Sequence, residues 1–102
     1  MITKEQALEL LTKKLAQLDS SHYDLTIDDR DTIERPFGWV FFYNSRKFIE
    51  TGLERYLILG PGPVIVDRNS GAIKFFGSET SDEEAIEEYE RELKGGRGQT
   101  QT

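Results

Sequence analysis

The chain has 102 residues, no cysteine, one histidine and a formal net charge of -6. That length makes one domain, expected over residues 1–94, and the lack of cysteine excludes disulfides and thiolate zinc sites. Phosphate backbones are bound by clustered Lys and Arg, so a chain this acidic is not expected to bind nucleic acid.

Residues 4–18 carry Ala7, Leu8, Leu11, Leu15 and Leu18 at the three-and-four spacing of one helical face. Thr3 and Gln6 form the reciprocal pair of a capping box, and Asp19, Ser20 and Ser21 are expected to end the helix because their side chains compete for backbone hydrogen bonds. From Tyr23 the period changes to two: Tyr23, Leu25 and Ile27 alternate with Asp24, Thr26 and Asp28, which predicts a strand with one wet face. The charged run from Asp28 to Asp31 reads as its frayed end or a bulge, Thr32 to Arg35 as a passage onward, and Arg35-Pro36-Phe37-Gly38 as a turn or the start of a strand.

Gly38 to Ser45 holds the only tryptophan and predicts the central strand. Trp39, Phe41 and Tyr43 fall on one side and Val40, Phe42 and Asn44 on the other, so both faces are largely apolar and both are expected to be buried. Residues 46–59 read as a structured connection with a short strand from Tyr56 to Leu59. Gly60-Pro61-Gly62-Pro63 reads as a rigid loop, followed by a hairpin of Val64 to Asp67 and Ala72 to Phe76 turning at Asn69 to Gly71. Ser81 and Glu84 repeat the capping-box spacing. The helix they open is expected to face Ala85, Ile86, Tyr89 and Leu93 inward and to stop at Gly95 and Gly96, leaving residues 95–102 as a disordered tail.

This order predicts an α+β fold: an antiparallel sheet of four to five strands with the N-terminal and C-terminal helices packed on one face. The other face is then a candidate for a partner or a homodimer contact. No apolar run approaches the roughly 20 residues of a membrane span, and the N-terminus lacks a signal-peptide core, so a soluble, cytoplasmic chain with no membrane partner is expected.

Charge is concentrated in two blocks. Residues 23–36 carry five acids and two bases, residues 78–94 carry eight acids and two bases, and residues 37–77 are net basic by two. Little of this points to catalysis. His22 has no nucleophile motif nearby and is expected to serve at the surface or as a cap, because base catalysis also needs an oriented partner. Asp28, Asp29, Asp31 and Glu34 lack the alternating spacing and loop glycine of a calcium site. The Gly-Pro loop lacks the free amides and Lys-Ser or Lys-Thr pair of a phosphate loop. No catalytic residue, cofactor or metal is expected, and the chain is not expected to be an enzyme.

The run Thr32-Ile33-Glu34-Arg35-Pro36-Phe37-Gly38-Trp39-Val40-Phe41-Phe42-Tyr43-Asn44-Ser45, followed by a Gly-Pro loop into Val64-Ile65-Val66-Asp67-Arg68-Asn69-Ser70-Gly71, resembles the immunity protein 35 (YrhB-like) family of bacterial polymorphic toxin systems. The resemblance covers roughly Tyr23 to Tyr89 and departs at Pro61, where such proteins often carry asparagine. It implies neutralisation of a cognate protein toxin by binding, without fixing which toxin, and transfers no catalytic residues. On that reading Asp24, Asp28, Asp29, Asp31 and Glu34, or else the acidic face of the last helix, would meet a basic toxin surface. Trp39 or Tyr43 would serve as an aromatic anchor if its sheet face is open, and as core otherwise. Two other classes compete: a chaperone-like housekeeping protein holding unfolded clients on an open sheet face, and a small hydrolase built around His22 and the Asp28 to Asp31 run.

Overall fold

The structure, a computed structural model of the chain, describes residues 1–19 and 23–99. Helix α1 spans Lys4–Leu18. Both arms of its cap are present: the Gln6 amide donates to Thr3 Oγ1 at 3.1 Å and the Thr3 amide donates to Gln6 Oε1 at 2.9 Å. Ser20, Ser21 and His22 lie outside the described residues, as does the end of the tail, residues 100–102. Asp19 closes the helix, and its carboxylate accepts from the amides of Tyr23 at 2.9 Å and Leu25 at 3.1 Å.

Six strands follow in chain order: β1 Leu25–Ile27, β2 Ile33–Arg35, β3 Gly38–Phe41, β4 Tyr43–Ser45, β5 Pro61–Asp67 and β6 Ile73–Gly77. They form a four-stranded antiparallel sheet in the order β2-β3-β5-β6 and a separate antiparallel pair, β1 with β4. The fold is α+β. The aromatic ribbon expected from Gly38 to Ser45 is therefore real but changes sheets at Phe42. Its carbonyl takes the Asp28 amide at 2.8 Å, which carries the pairing across the gap between β3 and β4. The passage before Pro36 is itself a strand, β2, paired Ile33 to Val40 and Arg35 to Gly38, while Asp29–Asp31 forms one turn of 3-10 helix.

Each face of the ribbon has its own helix, which corrects the expectation of two helices on one face. Ala7, Leu11 and Leu15 of α1 cover Trp39, Phe41, Val64 and Val66. Helix α3, Asp82–Gln99, lays Ala85, Ile86 and Tyr89 over Phe37, Val40 and Ile65 on the opposite side. A one-sided arrangement would leave Val40 and Ile65 in water, and both are fully buried. Burying a side chain of that size contributes about 1.5–3 kcal/mol, so the alternation of the ribbon forces a helix onto both faces. Among the described residues, both faces of the four-stranded sheet carry a helix.

Three smaller differences have local causes. Leu93 is exposed, because the buried stripe of α3 ends at Tyr89. The same helix continues through Gly95 and Gly96 to Gln99, past the stop expected at those two glycines. A helical glycine costs about 1 kcal/mol relative to alanine, a bias that ends a helix only when the chain also turns away. The Gly-Pro loop is shorter than expected, since β5 begins at Pro61, with a register shift between Pro61 and Val64 that absorbs the two residues unable to donate.

Candidate functional site

The acidic run is held by bases of the same chain. Asp28 takes two bonds from the Arg30 guanidinium, both at 2.8 Å, and this contact holds its carboxyl below the ordinary value against the opposing effect of burial. Asp29 accepts from Thr32 Oγ1 at 2.6 Å and pairs with Lys4 at 3.2 Å; the Thr32 bond, then Lys4, lowers its pKa. Asp24 is bound by Arg46 at 2.7 Å and Glu34 by Arg68 at 3.1 Å. Asp31 alone of the five has no ion pair among the described residues. Four of the five charges are already answered, and exposed pairs of this kind contribute little energy of their own. Helix α3 is similar in part: Lys74 bonds Glu92 and reaches Glu88 at 3.4 Å, while Glu83, Glu87 and Glu90 have no such pairs among the described residues.

The two candidate aromatics separate. Trp39 is 3 % exposed, roofed by α1 and by the Arg68 guanidinium 4.7 Å from its ring, so it belongs to the core. Tyr43 is half-buried, edge-on to Phe75 with 6.0 Å between ring centroids, and burial pushes its hydroxyl pKa up. His22 lies outside the described residues. Among the described residues no group of three or more His, Cys, Asp or Glu could hold a metal ion. No helix there is long and apolar enough to cross a membrane.

A concavity lies elsewhere, at the end of the molecule where the β1–β4 pair meets the connection after it. Ser45 caps a short helix, α2 (Arg46–Thr51), by accepting from the Phe48 amide at 3.0 Å, and Gly52 ends it in the left-handed conformation at φ 72°. A 3-10 turn, Glu54–Tyr56, brings the chain back. The strand expected from Tyr56 to Leu59 does not form. Instead the Asn44 side chain stands in for a strand: its Oδ1 accepts from the Ile58 amide at 2.9 Å and its Nδ2 donates to the Ile58 carbonyl at 3.1 Å. Ser45 Oγ adds a bond to the Tyr56 carbonyl at 2.7 Å.

Between this tethered segment and α2 lies a cleft of about 710 Å³, and a groove of about 290 Å³ continues it past Tyr43 to Pro61; both share Tyr23, Ile58 and Leu59. Three bases, Arg46, Lys47 and Arg55, and two acids, Asp24 and Glu50, line the cleft. Lys47 and Arg55 both sit against the Tyr56 ring, at 5.3 and 5.0 Å from its centroid. Of the candidate residues only Asp24 and Tyr43 border these cavities. Sequence periodicity misses the rest because the segment is held by one amide side chain, although the clustered charges at the ends of the connection do mark it.

Replacing Asn44 with alanine is expected to free Ile58 and lower stability by about 1–2 kcal/mol, the usual range for lost hydrogen bonds at a partly buried site. Hydrogen exchange checks this: the Ile58 amide should lose protection while Val40 and Ile65 keep theirs. Unchanged exchange at Ile58 would show that Asn44 is not the tether.

Comparison with known proteins agrees with the resemblance of the ribbon and hairpin. A protein of Escherichia coli (strain K12) named "Uncharacterized protein YrhB" is 34% identical over 88 residues, covering 79% of this chain and 90% of that protein. No solved structure matches. The model of the family described as Immunity protein 35 matches residues 5–92, which takes in all six strands, α2 and most of α1 and α3, and the chain belongs to that family.

Proposed function

We propose that the chain neutralises a protein toxin by binding it, with no bond made or broken. Family membership over residues 5–92 is the observation that carries this reading, since the family is described as Immunity protein 35. The build of the molecule supports it: two helices clamp one aromatic ribbon, and four of the five candidate acids are engaged in ion pairs. A hydrolase around the Asp28 to Asp31 run fits poorly, because Asp28 and Asp29 are engaged by Arg30, Thr32 and Lys4. The client-holding alternative required an open sheet face, and both faces carry helices.

The test is co-purification with the product of the neighbouring gene, paired with survival of cells that express that product with and without this chain. A stoichiometric complex and restored growth are expected. Growth inhibition that this chain does not relieve, with no complex formed, would overturn the reading. Reversing Asp31 and Glu34 together with Glu83 and Glu87 tests the charge of the surface used: a complex that needs those acids weakens on reversal and at about 1 M salt, where screening shortens to roughly 3 Å.

A further inference from the structure

Three exposed apolar side chains lie together in the cleft. Leu59 is 85% exposed, Tyr23 54% and Leu57 38%, and all three line the cleft at the β1–β4 end. Leu57 and Leu59 both line the cleft, while the Ile58 backbone between them is fixed by Asn44. Two leucines presented to water on a rigid tether are costly to leave bare, and solvent-facing apolar clusters rimmed by polar residues mark interaction sites.

The cleft lining carries three bases against two acids, and Arg46 and Asp24 pair with each other. Within a molecule of net charge -6, Lys47 and Arg55 form a small basic island on the cleft wall with no carboxylate partner among the described residues. Their placement against the Tyr56 ring holds both cations in a fixed position rather than letting them sweep through solvent. The adjoining groove lengthens the cavity into a track past Tyr43 to Pro61, a shape suited to an extended chain and poorly suited to a compact molecule.

We infer that this cleft is a docking surface, and that its occupant is an extended segment of the partner protein in which an aliphatic side chain is flanked by carboxylates. The aliphatic group packs between Leu57 and Leu59, and the carboxylates meet Lys47 and Arg55. This deepens the toxin-binding reading and rests on it for the partner's identity. It places recognition on the basic end of the molecule, where the acidic edge is already neutralised from within.

Two measurements test it separately from the toxin. The isotope-labelled chain is titrated with a capped Asp-Leu-Asp tripeptide and with Lys-Leu-Lys, following backbone amide shifts. Perturbation by the acidic peptide only, centred on Lys47 and Tyr56 to Leu59, and fading between about 0.1 M and about 1 M salt, is expected. The K47E/R55E double variant should bind the acidic peptide at least about tenfold more weakly, and Leu59→Ser should do the same; both changes are on exposed side chains, so the fold survives them. Scattered shifts, equal response to both peptides, or full binding by the double variant would overturn the inference, as would a dimer that Leu59→Ser dissolves, since a second copy would then fill the cleft. Peptide binding at this cleft together with no complex with the neighbouring gene product would sink the toxin reading and leave the cleft assignment standing. A toxin complex unaffected by K47E/R55E and Leu59→Ser would do the reverse.

Discussion

Gly38→Ala is expected to destabilise the chain by at least about 4 kcal/mol and to leave much of it unfolded, given the 5–15 kcal/mol that holds a typical domain together. Gly38 has φ 150°, a conformation side chains rarely adopt, and strain of that kind costs about 1–3 kcal/mol where a side chain is forced into it. The larger effect is steric. A Cβ on Gly38 would overlap the Val66 carbonyl oxygen and lie 2.9 Å from the Arg68 amide and 3.1 Å from Asp67 Cα. All three are backbone atoms of β5 or its turn, so no rotamer change makes room. Relief requires parting β3 from β5, which opens the Trp39 side and the Val40 side of the sheet together. Gly52→Ala is the control: its φ of 72° carries a similar backbone strain, but nothing lies within 4 Å of its added carbon, and a loss of only about 1 kcal/mol is expected. Denaturant unfolding followed by the fluorescence of the single tryptophan measures both. Equal losses for the two variants would show that the close approach of β5 does not matter.

The same position shows what the sequence makes readable. Helix caps at Thr3 and Ser81, the period-two ribbon and the Asn69 to Gly71 turn are local signals, and each appears in the structure as expected. The side of the sheet each helix takes is not local. Helices α1 and α3 carry similar apolar stripes, and nothing in either marks which side of the ribbon it will meet; only the two-faced burial of Trp39 and Val40 forces the answer. The cleft is less legible still. It depends on the Asn44 amide bonding a backbone fourteen residues away, a contact with no periodic signature, so Lys47, Tyr56 and Leu59 stay anonymous until the chain is folded.

Asp67→Ala should cost about 3–5 kcal/mol at neutral pH, the usual penalty for removing one partner of a buried charged network, and the loss should depend on pH in a defined way. Asp67 is 5% exposed and ties three elements together. Its Oδ1 accepts from the Asn69 and Ser70 amides at 2.8 and 3.1 Å, closing the hairpin between β5 and β6, and its Oδ2 accepts from Tyr89 Oη at 2.6 Å, fastening α3 to the sheet. Burial alone would raise the Asp67 pKa, but the bonds from Tyr89, Ser70 and Asn69 outweigh it and hold the carboxyl below its ordinary value. Burial, and then the neighbouring carboxylate, push the Tyr89 hydroxyl up. A lowered carboxyl pKa gives stability that is complete above the unfolded value of about 3.9 and drains away as pH falls through the folded one. A raised phenol pKa gives stability that is complete below about 10 and is lost as pH rises through the folded value. The difference between the native chain and Asp67→Ala should therefore be flat between about pH 5 and 9 and should shrink on the acid side. Tyr89→Phe keeps the aromatic contact with Phe37, 5.1 Å between centroids, and removes only the hydroxyl, so about 1.5–3 kcal/mol is expected. In a double-mutant cycle the two changes should couple by about 1–3 kcal/mol, because each deletes the same bond. Additive losses, or an acid limb identical in the native chain and Asp67→Ala, would mean that the Asp67–Tyr89 bond does not join the last helix to the sheet.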